Sequence, residues 1–201
     1  MAPSVPQTPT YAATYLADAS IARYSVKRYQ HLVEIGGLGP DDKVELLENL
    51  MVLKMPRDPI HDATIQQMVR PLLRVIPGGY DLRSQSAVAL SDSQPEPDHA
   101  IVRGTARDYV ARHPGPDDIA LVIEVANTSL LRDQRDKARI YARASIPVYW
   151  IVNLDDRRVE VHEQPSGPVS SPAYNRITHF LPGQALPLPT GGSVAVDDLL
   201  P

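Results

Sequence analysis

The chain contains no cysteine. Disulfides and thiolate metal sites are therefore excluded. No stretch approaches the roughly 20 consecutive apolar residues of a membrane-spanning helix. The first residues lack the basic-then-apolar pattern of a secretory signal, so a cytoplasmic location is expected. A strong basic excess is also missing. The formal net charge is −4, which argues against a general nucleic-acid coat protein. It leaves room for a nuclease, because an acidic metal site lowers net charge while local arginines still meet phosphate. Several chemistries find no motif. The glycines of Gly36-Gly-Leu-Gly39 neither follow a strand nor open a helix, so they form no dinucleotide fingerprint. There is no P-loop, no His-Glu-x-x-His, no nucleophile elbow and no internal repeat.

What is present suffices for one domain with a sizeable core, since the chain has 201 residues. Residues 1–23, rich in Pro, Thr and Ala, read as a loose leader, and 24–201 as a single domain. A helix is expected from the N-cap Ser25 to Gly36-Gly37. Val44–Leu53 reads as a hairpin turning at Glu48-Asn49, because Asn tolerates positive φ. A second helix is expected over His61–Ile76, with Ile65, Met68, Val69, Leu72, Leu73 and Ile76 as its apolar stripe. Short strands are expected at Ala87–Leu90 and His99–Val102. The run Ile119–Ala126 is apolar on both faces and belongs in the middle of a sheet. A helix over Leu131–Ser145 follows, then a hairpin of Pro147–Asn153 and Arg158–His162. From Gln164 onward, irregular chain with a short strand or two is expected. Helices flanking a mixed sheet make this an α/β protein.

Four charged residues stand out against that framework. Buried charges cost several kcal/mol unless they are paired or metal-bound. Glu124 interrupts the apolar run and shares a strand face with Val122 and Ala126. It is either a metal-binding carboxylate or a strand-end glutamate in solvent. Asp98 follows Pro97, whose fixed φ stiffens the approach to the next strand. Arg132, Arg135, Arg139 and Arg143 share one helix face, and Lys137 lies on roughly the opposite one. The arginines face solvent, phosphate or acids. The lysine is aimed at the sheet, toward Asp98 or Glu124, or else snorkels at its rim. Glu45 opens the first hairpin as a further acid or an exposed residue. Asp133, one turn before Lys137, suits a helix ion pair. His61 reads as a cap or surface residue, and Tyr149-Trp150 as core or as an interface between copies.

The same residues resemble a known family. Val44-Glu-Leu-Leu47, His61, Glu96-Pro-Asp98 and Leu121-Val-Ile-Glu-Val125 are similar, in order, to the Uma-type restriction-endonuclease-like proteins of bacteria. The pattern continues with Asp133, Lys137 and Tyr141 at four-residue spacing, then Ile146-Pro-Val-Tyr-Trp-Ile-Val152. That family lies within the PD-(D/E)XK superfamily. The resemblance implies a mixed central sheet flanked by helices and hairpins, and a DNA endonuclease that uses Mg²⁺ or Mn²⁺. Asp98 and Glu124 would hold the metal, with Glu45 as an additional ligand or water-positioning acid. Lys137 would orient water or stabilise developing charge. Homodimers are common in this fold. Two departures stand out: the superfamily's usual lysine position is Ala126 here, and the usual glycine of the first hairpin turn is Asn49. The alternatives are a nuclease fold that no longer cleaves and acts as a binding module, and an oligomeric protein whose charges form an internal ion-pair network.

Overall fold

The apolar run at 119–126 is the axis of the molecule. In the computed structural model, which describes residues 22–201, Ile119–Ala126 is β5, buried along nearly its whole length. The leader expected over 1–23 lies, apart from Ala22 and Arg23, outside the described residues. β5 sits inside a six-stranded sheet of order β3-β4-β5-β6-β7-β8. The other strands are β3 (Tyr80–Ser84), β4 (His99–Arg103), β6 (Val148–Asn153), β7 (Arg158–Pro165) and β8 (Tyr174–Phe180). Only β5 and β6 run parallel, and the register pairs Glu124 with Ile151. A parallel pair needs a crossover. The segment that crosses is a helix with three parts, α over Leu130–Arg132, π over Asp133–Lys137 and α again over Ala138–Arg143, together α3.

Strand alternation then decides what each face receives. Leu121, Ile123 and Val125 point to the face covered by α2 (Pro59–Val75), where Ile65, Met68 and Leu72 are fully buried. Val122 and Ala126 point to the face covered by α3, where they pack with Ile140 and Tyr141. Glu124 lies between them on that same face. The α2 stripe is narrower than its periodicity suggests, since Leu73 is exposed. Tyr149 and Trp150 are wholly buried, so they are core rather than an interface.

The first helix, α1 (Val26–Glu34), is capped by the Ser25 hydroxyl, which accepts from the Arg28 N–H. The hairpin of β1 (Val44–Leu47) and β2 (Leu50–Leu53) turns through Glu48 and Asn49 at φ 49° and 65°. Positive φ at both positions is the mark of a type I′ turn. The turn is tied down by Asp92 and Ser93: Asn49 N–H donates to the Asp92 carbonyl and Glu48 N–H to Ser93 Oγ. Gln94 N–H adds a bond to the Leu46 carbonyl.

Two expectations need correction, and one strand is added to those expected. Ala87, Val88 and Leu90 are buried, but 87–90 is not a strand. Their backbone bonds go to the Pro95, Ser93 and Pro114 carbonyls, and a neighbouring segment holding Pro95 and Pro97 lacks the donors to extend a ladder. Tyr80–Ser84 is a strand, with Tyr80 and Leu82 alternating against Asp81 and Arg83. The C-terminal segment is far from irregular. It supplies edge strand β8 and a hairpin of β9 (Ala185–Pro187) and β10 (Ser193–Ala195). Leu186, Val194, Leu199 and Leu200 complete the α2-side core.

Candidate active site

The parallel strand pair opens a cleft where β5 ends, and the charged residues meet there. Glu45, His61, Asp98, Glu124, Asp133 and Lys137 all line it. Asp98 arrives on the proline-stiffened turn before β4, and its Oδ2 accepts the Val125 N–H at 2.9 Å. His61, in the first turn of α2, brings Nε2 to 3.3 Å from the same oxygen. Glu124 rises from the sheet toward α3. Its Oε1 accepts from Lys137 Nζ and from the Tyr141 hydroxyl, each at 2.8 Å. Asp133 accepts from Ser129 Oγ at 2.6 Å and stands 3.9 Å from Lys137 Nζ.

The π segment explains this convergence. In an α-helix, residues four apart advance by about 40° beyond a full turn. Asp133, Lys137 and Tyr141 would then fan out across the sheet. The wider i→i+5 winding rotates less per residue, so the step from 133 to 137 falls back while that from 137 to 141 advances. All three side chains consequently meet Glu124 or its lysine. The π segment is itself anchored: Gln134 Nε2 donates to both oxygens of the buried Glu160 on β7, at 2.9 and 3.1 Å. Glu160 also accepts from Asn153 and Arg158. Its row on the sheet is that of Glu124, with Ile151 between them.

Charge is the dominant physical fact of the cleft. Burial pushes the Glu124 carboxyl up, Lys137 pulls it down, and Asp98 and Asp133 push it up again; it titrates at about 8. Burial likewise raises Asp133 against the pull of Lys137. Burial opposes the charge on Lys137, but the surrounding carboxylates overcome it and hold the ammonium well above its ordinary range. Burial would raise Asp98 too, yet the contact with His61, helped by the Val125 N–H, holds it below the ordinary value. His61 is correspondingly raised: Asp98 outweighs its own burial. Burial, joined by Asp98 and Asp133, thus outweighs the pull of Lys137, and Glu124 keeps its proton up to about pH 8. Replacing a buried ion pair by apolar groups is often neutral or stabilising. A cluster this crowded is poorly explained as a device for stability.

Whether a divalent cation suits the cleft follows from its donors. Asp98 Oδ1 and Glu124 Oε2 accept no hydrogen bond among the described residues. Hard oxygen donors are what Mg²⁺ and Mn²⁺ take. Among the described residues, no three His, Asp or Glu side chains form a group that could enclose a metal. Magnesium sites commonly use one or two carboxylates and keep several waters, so the donor pair fits. Glu45 is already engaged, with Oε1 2.6 Å from Arg132 Nη2 and Oε2 accepting the Glu96 N–H at 3.3 Å.

The arginine stripe also meets acids. Arg139 and Arg143 grip Glu48 at 2.6 and 2.8 Å, Arg143 reaches Asp92, and Arg135 pairs with Asp136. Reading the sequence undervalued His61 and Tyr141. A signal for Tyr141 existed in the doubled four-residue spacing 133–137–141. For His61 the only signal was its place in the family pattern, because its contact with Asp98 joins residues remote in sequence.

The sequence pattern of the Uma2 family, described as "Putative restriction endonuclease", matches residues 26–194. The chain belongs to the Uma2 family. Among four matching solved chains is the crystal structure of a "putative nuclease belonging to DUF820" from Anabaena variabilis. It is 14% identical to this Uma2 chain, with a TM-score of 0.63, covering 84% of this chain and 96% of that one. At that identity the likeness establishes the fold. No curated protein matches the chain. Among the described residues no helix is long and apolar enough to cross a membrane.

Proposed function

We propose that this chain is a divalent-metal-dependent endonuclease that hydrolyses phosphodiester bonds in DNA. The observation that carries the reading is the meeting of Asp98, Glu124 and Lys137, from a turn, a strand and a helix, in one cleft with two uncommitted carboxylate oxygens. Asp98 and Glu124 would hold Mg²⁺ or Mn²⁺. When bound, the metal polarises a phosphate and acidifies a water. The remaining work belongs to the chain. His61 keeps Asp98 ionised. Tyr141 and Lys137 fix one oxygen of Glu124 and leave the other directed to the cleft. Lys137 supplies fixed positive charge where negative charge develops on the phosphoryl oxygens. We assign Glu45, through its pair with Arg132, to water positioning rather than ligation.

The test is cleavage of plasmid and linear DNA in Mg²⁺, Mn²⁺ or EDTA, with Asp98→Asn, Glu124→Gln and Lys137→Ala alongside. Cleavage should require metal and vanish in each variant; full cleavage by all three would eliminate this site. The rival reading, a nuclease fold without cleavage, draws on the Arg132–Glu45 pair and the absence of a three-ligand group among the described residues. Calorimetric titration with Mn²⁺ separates the two, since the rival expects no heat of binding.

A further inference from the structure

Between β2 and α2 the chain reads Met55-Pro56-Arg57-Asp58-Pro59, and the first four of these residues line the cleft. Proline fixes its own φ and pushes the residue before it into extended backbone. Asp58, at φ −99° and ψ 166°, follows the second rule. Its carboxylate ties the segment down on two sides. Oδ1 accepts the His61 N–H at 2.9 Å, and Oδ2 accepts from Asn127 Nδ2 at 2.5 Å. Arg57 is exposed and stands between the two prolines, one residue from those ties.

Charge sets this arginine apart. Among the described residues four permanent cations line the cleft: Lys54, Arg57, Arg132 and Lys137. Lys54 meets Glu96 at 2.5 Å, Arg132 meets Glu45 at 2.6 Å and Lys137 meets Glu124 at 2.8 Å. Arg57 has no ion pair among the described residues. Its charge nonetheless reaches the centre of the cleft. It opposes protonation of His61, whose Nε2 lies 3.3 Å from Asp98 Oδ2. Exposed arginines are ordinarily just solvated. This one is held beside carboxylates without being neutralised by them. A phosphodiester entering the cleft meets the charge of those acids, and Arg57 is the cation left to offset it. A guanidinium suits that task, since its planar fork donates two parallel bonds to phosphate oxygens.

We propose that Arg57 is a catalytic residue that grips the non-bridging oxygens of the scissile phosphate. The inference rests on the nuclease reading and adds a second fixed positive charge to that of Lys137. Lys137 belongs to α3 and Arg57 to the segment entering α2, so the phosphate is held from two elements. Negative charge that builds on the phosphoryl oxygens then meets a donor already in place.

Two measurements on the full chain test the assignment. Cleavage of duplex DNA in Mg²⁺ should slow about 100-fold at saturating DNA in Arg57→Ala. Arg57→Lys keeps the charge but loses the fork, and should stay about tenfold below wild type. Binding of fluorescein-labelled duplex is read by anisotropy across a salt series, in a Glu124→Gln background that stops cleavage. Adding Arg57→Ala should lower the salt slope by about one, and Arg57→Lys should restore it. Thermal melting of Arg57→Ala should match wild type, because no acid loses a partner. An undiminished cleavage rate or an unchanged salt slope would overturn the assignment. So would a melting temperature lowered by several degrees, which would expose a partner for Arg57 within the fold. The failures are separable. If the wild type cuts DNA with metal and Arg57→Ala cuts as fast, only this inference falls. If the wild type cuts no DNA, the nuclease reading falls and takes the catalytic role of Arg57 with it.

Discussion

Replacing Glu124 by glutamine keeps the shape of the side chain and removes its charge. In the wild-type chain this carboxyl titrates at about 8 against an ordinary 4.5, chiefly because it is buried. The sign of the effect follows from that upward shift. A carboxyl with a raised native pKa binds its proton more tightly when folded, so its contribution is complete below about 4.5 and is lost as pH climbs to about 8. One unit corresponds to about 1.4 kcal/mol. Going from about pH 6 to about pH 9 crosses about two units of that window, a loss of about 3 kcal/mol through this group. Lys137, shifted upward, stays charged throughout. Glutamine cannot titrate, so the variant should hold its stability over the same interval. Urea denaturation in EDTA, followed by the fluorescence of Trp150, reads this directly; it is the sole tryptophan and is wholly buried. Saturating Mn²⁺ at about pH 8 should restore the wild type by mass action and leave the variant unmoved. Parallel loss of stability in both proteins would refute the upward shift of the buried Glu124 carboxyl.

Other outcomes follow from the same geometry. Lys137→Met strands Glu124 and Asp133 without their cation and should cost about 3–5 kcal/mol in urea denaturation; a cost near zero would mean that the pair is not buried in solution. Glu160→Gln gives up the charge that organises Gln134, Asn153 and Arg158 and should destabilise by about 1.5–3 kcal/mol. Because the Glu160 carboxyl is held far below its ordinary value by His162, Asn153, Gln134 and Arg158 against its own burial, its stabilisation is present above about pH 4.5 and should disappear only on strong acidification. Thermal melts between neutral and acidic pH would show it as a difference between wild type and variant, and identical curves would count against it. Tyr141→Phe removes one of two donors to Glu124 Oε1 and should cost about 1 kcal/mol, read by the shift in urea midpoint.

The visible part of the site was visible because it broke local rules. A glutamate in an apolar strand, an aspartate after a rigid proline and a lysine on the wrong face of an arginine helix are each local anomalies, and alternation and helical angle indicate where each side chain goes. The hairpin was legible for a similar reason, since Asn49 satisfies the positive φ of its turn. Less visible was everything that joins distant segments. Glu160 looks like an ordinary outward residue of a Val-Glu-Val strand, and its partner Gln134 lies in another element. The π winding of α3 leaves the apolar spacing nearly unchanged, yet it brings Asp133, Lys137 and Tyr141 together beside Glu124. Residues 87–90 carry strand-like side chains, and only the prolines across from them prevent a ladder. β8 was hidden because an edge strand with most of its side chains in solvent lacks hydrophobic alternation.

The most direct measurement is the anomalous scattering of a crystal soaked in Mn²⁺. The account predicts one peak in the cleft, about 2.0–2.3 Å from one oxygen of Asp98 and one of Glu124, with water completing the shell and Lys137 still on the far oxygen of Glu124. A cleft without a peak at saturating metal, in a protein that still cuts DNA, would contradict it.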